Sequence, residues 1–554
     1  MKKNSPWIYT TAAVLLVIFG GTLALRWEQL PWSPGYKTPP PYVPPPGEIL
    51  PTATFFSPKE LTPTVEPDRV WLDPSLPEAL LSALMGDSGL LLAESQENAG
   101  TVLTISAEKP LAYWVLAAAA PFPTVTDNLT IESIKTAWGE GKNPLAPSRP
   151  LMMSAETRDL LSALWGDPGP GAVEIAAPED LAQQAWNQRP SLAIVPFEEL
   201  EPEWKVLQID GLSPLQKDFE PGEYGLALPI SAVGTKPELL GGIQGNRDPD
   251  KLTSVVLTGV TALVRATAWT METNGVEYPA QDIRDWLLDA DILHISNEVP
   301  FVRNCLFPDP GQTGLRFCSH PKYIRLLDSI GTDVVELTGD HFGDYGPEAM
   351  LNTLELYDFR DWPYYGGGRD RADAQKAVKF EHNGNKIAFI GCNAKGGGYA
   401  TASSNNPGAV ACDFDQMTQS IRTLTAEGYQ VIGTFQHFEY YTYQAQPDQI
   451  RDARTLTNAG AAIVSGSQAH QPQAFEIRNG AFIHHGLGNL FFDQIYEIPP
   501  NTATAFIDRH IFYDGEHIST ELLTIKFLDF ARARPMTQSE REELLRIVFA
   551  ASGW

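Results

Sequence analysis

The stretch Gln430-Val-Ile-Gly-Thr-Phe435, continued by Gln436-His437-Phe-Glu439-Tyr-Tyr441, decides how this chain is read. An apolar run stops and chemically capable polar side chains begin, as at the end of a buried strand. A helix is predicted over residues 447–458, with Ile450, Ala453 and Leu456 at helical spacing. The pattern then recurs. Ala461-Ala-Ile-Val464 leads into Ser465-Gly-Ser-Gln-Ala-His470, and Ala481-Phe-Ile-His-His485 leads into Gly486-Leu-Gly-Asn489-Leu-Phe-Phe-Asp493. Polar residues after each strand point to an α/β fold, in which ligands collect beyond the carboxyl ends of the strands.

Upstream the same alternation holds. Asp291-Ile-Leu-His-Ile-Ser leads into Asn297 and Glu298, and a strand over residues 333–337 leads into Thr338-Gly-Asp340-His341-Phe-Gly-Asp344. Asp344 reads as the cap of a helix over residues 348–357, and His294 as a core histidine. Lys386-Ile-Ala-Phe-Ile390 pairs with residues 374–380 across Asn383-Gly384, the strongest two-residue hairpin signal. A final helix is expected over residues 539–549, capped by Ser539 with Glu542 three residues on.

Imidazole and carboxylate are the ligands of zinc, manganese and iron sites. Glu298, Asp340, His341, His437 and His470 are therefore the candidate metal ligands. His437 and His341 are the candidate proton carriers, and Asn297, Glu439, Asn489 and Arg265 the candidate substrate contacts. No G-x-S-x-G elbow, phosphate-binding P-loop or dinucleotide fingerprint occurs in the sequence.

The chain has 554 residues, 43% of them hydrophobic, which is enough for two or three cores. Its formal net charge of −28 argues against a nucleic-acid partner, which needs a basic face. Cys305, Cys318, Cys392 and Cys412 fall into two local pairs without zinc-ribbon spacing. Two disulfides, Cys305–Cys318 and Cys392–Cys412, are the simplest assignment in an exported protein, and four buried thiols the alternative. Lys2 and Lys3 precede an uncharged apolar stretch, residues 7–25, close to the ~20 residues that span a bilayer. An uncleaved anchor with a cytoplasmic N-terminus is the expectation, a cleaved signal peptide the rival. The expected location is the cell membrane, single-pass, with the remaining domains on the extracytoplasmic side. The expected segments are the anchor (1–28), a proline-rich stiff spacer (29–52), a first α/β domain (53–245), a second α/β domain (251–530) and a C-terminal helix and tail (531–554).

In the first domain, Thr130 and Ser154 are placed to cap helices, and Pro178 to open one. Ala120-Pro-Phe-Pro-Thr-Val-Thr-Asp127, Thr136-Ala-Trp-Gly139, Ala185-Trp186 and Ser191-Leu-Ala-Ile-Val-Pro-Phe197 resemble the periplasmic solute-binding proteins that take phosphate and similar anions. That resemblance implies an anion contact through Thr124 and Thr126 ahead of a helix N-terminus.

The second domain resembles the CapA family of poly-gamma-glutamate capsule proteins. Ala290-Asp-Ile-Leu-His-Ile-Ser-Asn-Glu298 is similar to its A-D-x-x-x-x-N-x-E block, with Ser296 falling on the family's asparagine. Thr338-Gly-Asp-His-Phe-Gly-Asp-Tyr-Gly346 is similar to N-N-H-x-x-D-x-G, and Phe435-Gln-His-Phe-Glu-Tyr440 to H-W-G-x-E-Y. Gly466-Ser-Gln-Ala-His470 and Gly486-Leu-Gly-Asn-Leu-Phe-Phe-Asp493 complete the series in order. The resemblance implies a four-layer α/β/β/α sandwich of the calcineurin-like metallophosphoesterase type. It also implies a divalent transition metal (Mn, Zn or Fe) and a role in cell-surface polymer biosynthesis, with the polymer or its synthase as partner. This chain departs from the family at Val260, where the family has Asp, at Gly339-Asp340, where it has two asparagines, and at Ser467, where it has His. The retained ligands suit one ion better than two. The alternative is a degenerate, non-catalytic module that binds an anionic polymer or a synthase. A pure solute receptor is a third reading, resting on the first domain alone.

Overall fold

A long alanine-rich strand, Ala112–Pro121, runs through the middle of the first sheet and is buried along nearly all its length. Such continuous burial is expected of a strand covered on both faces. The computed structural model describes residues 69–87, 89–494 and 502–554. The apolar stretch 7–25 and the proline-rich spacer therefore lie outside the described residues. Among the described residues no helix is long and apolar enough to cross a membrane.

The first sheet has nine strands, with Ala112–Pro121 between Ala227–Gly234 and Ala193–Pro196, antiparallel to both. Its helices start where the sequence places them. Thr130 accepts from Ser133 N and Ser154 from Thr157 N, each satisfying an otherwise bare first-turn amide. Pro178 opens helix Pro178–Asn187. Each helix buries one stripe against the sheet, for example Ile134, Ala137 and Trp138.

The remainder contains two large sheets packed face to face. One carries, in order, Tyr364–Tyr365, Val334–Glu336, Ile292–Asn297, Leu252–Leu257, Thr504–Tyr513, Glu516–Phe527 and Ala533–Pro535. The other carries Val378–His382, Asn385–Asn393, Gln430–Gln436, Ala461–Ser465, Ala481–His484 and Phe475–Arg478. Alternation along each strand sets the layers. Val255, Leu257, Ile432 and Phe389 meet between the sheets. Val256 faces a core shared with Met350 and Leu354 of helix Gly346–Asp358, and Val431 one shared with Ile421 and Leu456 of helices Phe414–Ala426 and Pro447–Ala459. The result is helices, sheet, sheet, helices, held by side-chain period two.

The hairpin turns on Asn383 (φ 47°) and Gly384 (φ 77°), the left-handed pair that a two-residue turn needs. Its first strand starts at Val378, later than expected, because Asp370 caps a short helix, Arg371–Ala374. Both disulfides form as paired above. The last helix, Gln538–Ala551, is capped two residues earlier than expected. Thr537 and Glu540 make the capping box because Lys526 and Arg534 also bind Glu540, while Glu542 pairs with Arg546.

This helix fastens the first region to the second. Arg541 grips Asp127 with two bonds, at 2.7 and 2.8 Å, and Lys205 adds a third at 2.7 Å. Burial works against the Asp127 charge, yet these two cations hold its pKa down at about 2. Beside them Phe122 of the first region packs edge-on to Phe475, Phe482, Phe549 and Trp554.

Three histidines of the second region are buried without a compensating anion. Burial lowers the pKa of His517 to about 4 and of His485 to about 3, and pushes His510 well below its usual value. The unfolded chain protonates these imidazoles below about pH 6.5. The folded chain does so only near pH 3–4, so the stability they contribute is complete above pH 6.5 and is lost as pH falls towards 4. His517 alone accounts for roughly 3 kcal/mol over that span. Urea melts at pH 7, 6, 5 and 4 are expected to show a steadily falling midpoint; a midpoint that does not move would refute this account.

Candidate functional site

Strands Ile292–Asn297, Val334–Glu336, Gln430–Gln436 and Ala461–Ser465 each have parallel neighbours within their sheets, and the candidate residues follow their carboxyl ends. Glu298 is pinned as the chain leaves its strand, its N–H donating to Thr261 O at 3.0 Å. Gly339 lies so close that a Cβ there would come within 2.7 Å of Glu298 Cα, so only glycine lets the two loops meet. The following Asp340 and His341 then face Glu298. One ligand atom from each of these three residues lies within 4.8 Å of the others.

His470 joins them, with Nε2 3.8 Å from Glu298 Oε1. Its Nδ1 is 2.9 Å from Asn489 Oδ1, which can only accept, so the proton sits on Nδ1 and the Nε2 lone pair faces the carboxylate. Phe492 packs against the ring at 5.1 Å. Glu298 Oε1 is buried and has no hydrogen-bond partner. Such a bare buried carboxylate oxygen costs energy unless a cation or proton meets it. Burial accordingly raises the Glu298 pKa.

The neighbouring groups are charged in a complementary way. Asp340 accepts from Lys395 Nζ at 2.6 Å and from Gln436 Nε2 at 2.7 Å. Burial opposes its charge, but Lys395 and His341 hold its pKa below the ordinary value. Lys395 also reaches Glu439 Oε1 at 2.8 Å. His341 Nδ1 lies 2.8 Å from Asp344 Oδ2. Burial disfavours the imidazolium, yet Asp344, Glu298 and Asp340 together push its pKa up to about 9.

Asp344 does not cap the next helix, contrary to expectation. Tyr345 stands at that position without a side-chain cap, because the Asp344 carboxylate is already used by His341 and by Phe317 N at 2.7 Å. His294 is a fully buried core residue, 3.3 Å from Glu336. Among the metal candidates, Glu298, Asp340, His341 and His470 come together. His437 is engaged by another partner: its Nε2 lies 3.1 Å from Asp452 Oδ2 on helix Pro447–Ala459.

The substrate candidates are also placed. Asn297 is fully buried and donates to Val299 O and Tyr357 Oη. Arg265 is bound to Asp493 and lies against the rings of Phe317 and Phe492 at 5.1 and 5.3 Å. Asn489 orients His470, and Glu439 holds Lys395. In the first region the Thr124 hydroxyl donates to Pro121 O at 2.7 Å, Lys205 donates to Thr124 O at 2.7 Å, and Thr126 is exposed.

The departures from the family pattern have structural counterparts. Val260 is fully buried in an apolar cluster with Ala262, Val299, Phe317 and Phe492, where a carboxylate would have no water. Ser467 donates to buried Glu336, and Gln468 Nε2 reaches Ser296 Oγ at 2.5 Å. Lys395 and Gln436 escaped the sequence reading. Lys395 sits in the glycine-rich run Ala394-Lys-Gly-Gly-Gly398, which reads as a plain loop, and its partners lie 44 and 55 positions away. Gln436 adjoins the histidine block and could have been weighed as a polar residue ending the strand.

Residues 254–494 match the family model described as "Bacterial capsule synthesis protein PGA_cap". The chain is 28% identical over 173 residues to the PGA biosynthesis protein CapA of Bacillus subtilis, covering 31% of this chain and 45% of that protein. It is 22% identical over 254 residues to the capsule biosynthesis protein CapA of Bacillus anthracis, covering 45% of this chain and 62% of that one. It thus spans less than two thirds of the length of these curated relatives. Similar solved structures include a 5'-nucleotidase precursor from Thermus thermophilus (14% identity, 55% of this chain and 58% of that one, TM-score 0.31). Another is an ABC-type phosphate transport receptor from Vibrio cholerae (13% identity, 29% of this chain and 85% of that one, TM-score 0.23). Both likenesses are too loose to carry a structural argument. The ordered motif blocks, the family match and the two curated relatives agree: residues 254–494 of this chain are similar to the CapA family of bacterial capsule synthesis proteins.

Proposed function

We propose that this chain is an extracytoplasmic, membrane-anchored component of capsule, poly-gamma-glutamate or related surface-polymer biosynthesis. Its second region holds one divalent transition ion (Mn, Zn or Fe) and acts on a phosphoester or amide bond. The observation that carries the metal is the bare, buried Oε1 of Glu298 facing the Nε2 lone pair of His470. Asp340 and His341 complete a donor set of mixed oxygen and nitrogen, which suits these ions. A bound ion supplies Lewis acidity and lowers the pKa of a water. The chain's own part is to orient the donors. Asn489 fixes the His470 tautomer, and Asp344 holds His341 by Nδ1. Asp452 holds His437, the other candidate proton carrier. The two disulfides fit the oxidising side of a membrane.

A second reading keeps the location and removes the chemistry: the site binds an anionic polymer or a synthase without cleaving anything. Val260 and Ser467 favour it, since neither can ligate as the family's Asp and His would.

Metal analysis of the purified protein is expected to find about one equivalent of a transition ion, lost in Glu298→Gln and in His470→Ala. Less than about a tenth of an equivalent in the parent protein would leave only the binding module. In EDTA, Glu298→Gln is expected to melt later than the parent, by about 1–2 kcal/mol, because the amide relieves a buried carboxylate. Asp340→Asn is expected to melt earlier, because it removes the anion that Lys395 faces.

In cells lacking the gene, surface polymer is expected to fall and to be restored by the parent chain. Failure of Glu298→Gln to restore it supports catalysis, and full restoration supports the binding module.

A further inference from the structure

Lys395 lies among the acidic groups of the site, not at its rim. Its side chain is 5% exposed, its ammonium is 2.6 Å from Asp340 and 2.8 Å from Glu439, and the Tyr399 ring lies 4.9 Å away. The loop is positioned by the site itself. Asn393 Oδ1 accepts from Gly396 N just beyond the lysine, while Asn393 Nδ2 donates to Thr338 O at 2.8 Å and Gln436 Oε1 at 2.9 Å. Gln436 in turn donates to Asp340. The ammonium and the carboxylate it neutralises are therefore held by one network.

We propose that Lys395 is a resident cation that takes the place of a second metal ion and binds the anionic group of the substrate. This rests on the metal reading above. Glu298, Asp340 and Glu439 carry three negative charges, while Asp344 is engaged by His341. With His341 neutral as a ligand Asp344 adds a further negative charge; one divalent ion and one ammonium nearly balance the set, whereas two divalent ions beside the ammonium would leave an excess of positive charge. Asp340 offers Oδ2 to Lys395 and so stands between the ammonium and the Glu298 cluster. An ammonium has three N–H groups, and two are spent on Asp340 and Glu439. The third is available to an anionic oxygen, of a phosphoryl or carboxylate group, bound next to the ion. An ammonium suits that task as a compact point charge with rotatable donors.

The test is calorimetric titration of the metal-stripped full chain with Mn2+, then of the Mn2+-loaded chain with orthophosphate. The parent chain is expected to take one equivalent of Mn2+. Lys395→Gln is expected to bind Mn2+ at least tenfold more tightly or to take a second equivalent, and to bind orthophosphate at least tenfold more weakly. Lys395→Arg, which keeps the charge, is expected to retain one equivalent. Opposite changes in the two affinities are what general damage to the site cannot produce. Two equivalents in the parent chain, or unchanged or weakened Mn2+ binding in Lys395→Gln, would overturn the proposal. Should that variant not fold, the stoichiometry of the parent and of Lys395→Arg still decides it. No uptake by the parent chain would instead remove the metal reading, and this proposal with it.

Discussion

Two sheets packed face to face fix where their strands end, and each polar group of the site hangs from one of those ends. Glu298 leaves strand Ile292–Asn297, Asp340 and His341 follow Val334–Glu336, Gln436 ends Gln430–Gln436, and His470 follows Ala461–Ser465. The inter-sheet core of Val255, Leu257, Phe389, Ile432 and Phe482 keeps these ends in register. Residues more than 170 positions apart can then present ligand atoms within a few ångströms, because close-packed interiors hold position better than loops do.

The site pays in stability for what it presents. Burial disfavours the Glu298 charge, and no protein donor meets its Oε1. Nearby Asp340 is half-buried and is compensated by Lys395 and Gln436. Two carboxylates a few ångströms apart are thus held in opposite states of satisfaction.

The first region shows the same use of charge for assembly. Asp127 lies on the loop whose threonines resembled an anion site, yet its carboxylate is engaged by Arg541 and Lys205. Phe122, on that loop, packs into the aromatic group around Phe475 and Trp554. The loop therefore couples the first sheet to the final helix. These partners lie 414 positions apart in the case of Arg541, a separation at which no sequence pattern reveals a contact.

Much of the architecture was legible because it is local. Alternating apolar positions, Thr130, Ser154 and Pro178 at helix starts, and Asn383-Gly384 at the hairpin act within a few residues. So do the strand-then-polar runs that named Glu298, Asp340, His341 and His470. What the sequence by itself determined was thus the α/β class, the helix starts, the ligand types and the family pattern with its losses at Val260 and Ser467. Tertiary structure alone decided that His437 turns to Asp452, that Asp344 serves His341, and that Lys395 sits among the carboxylates. The reason is physical: backbone preference and burial act between near neighbours, whereas a side chain's partner depends on which loops the packed sheets bring together.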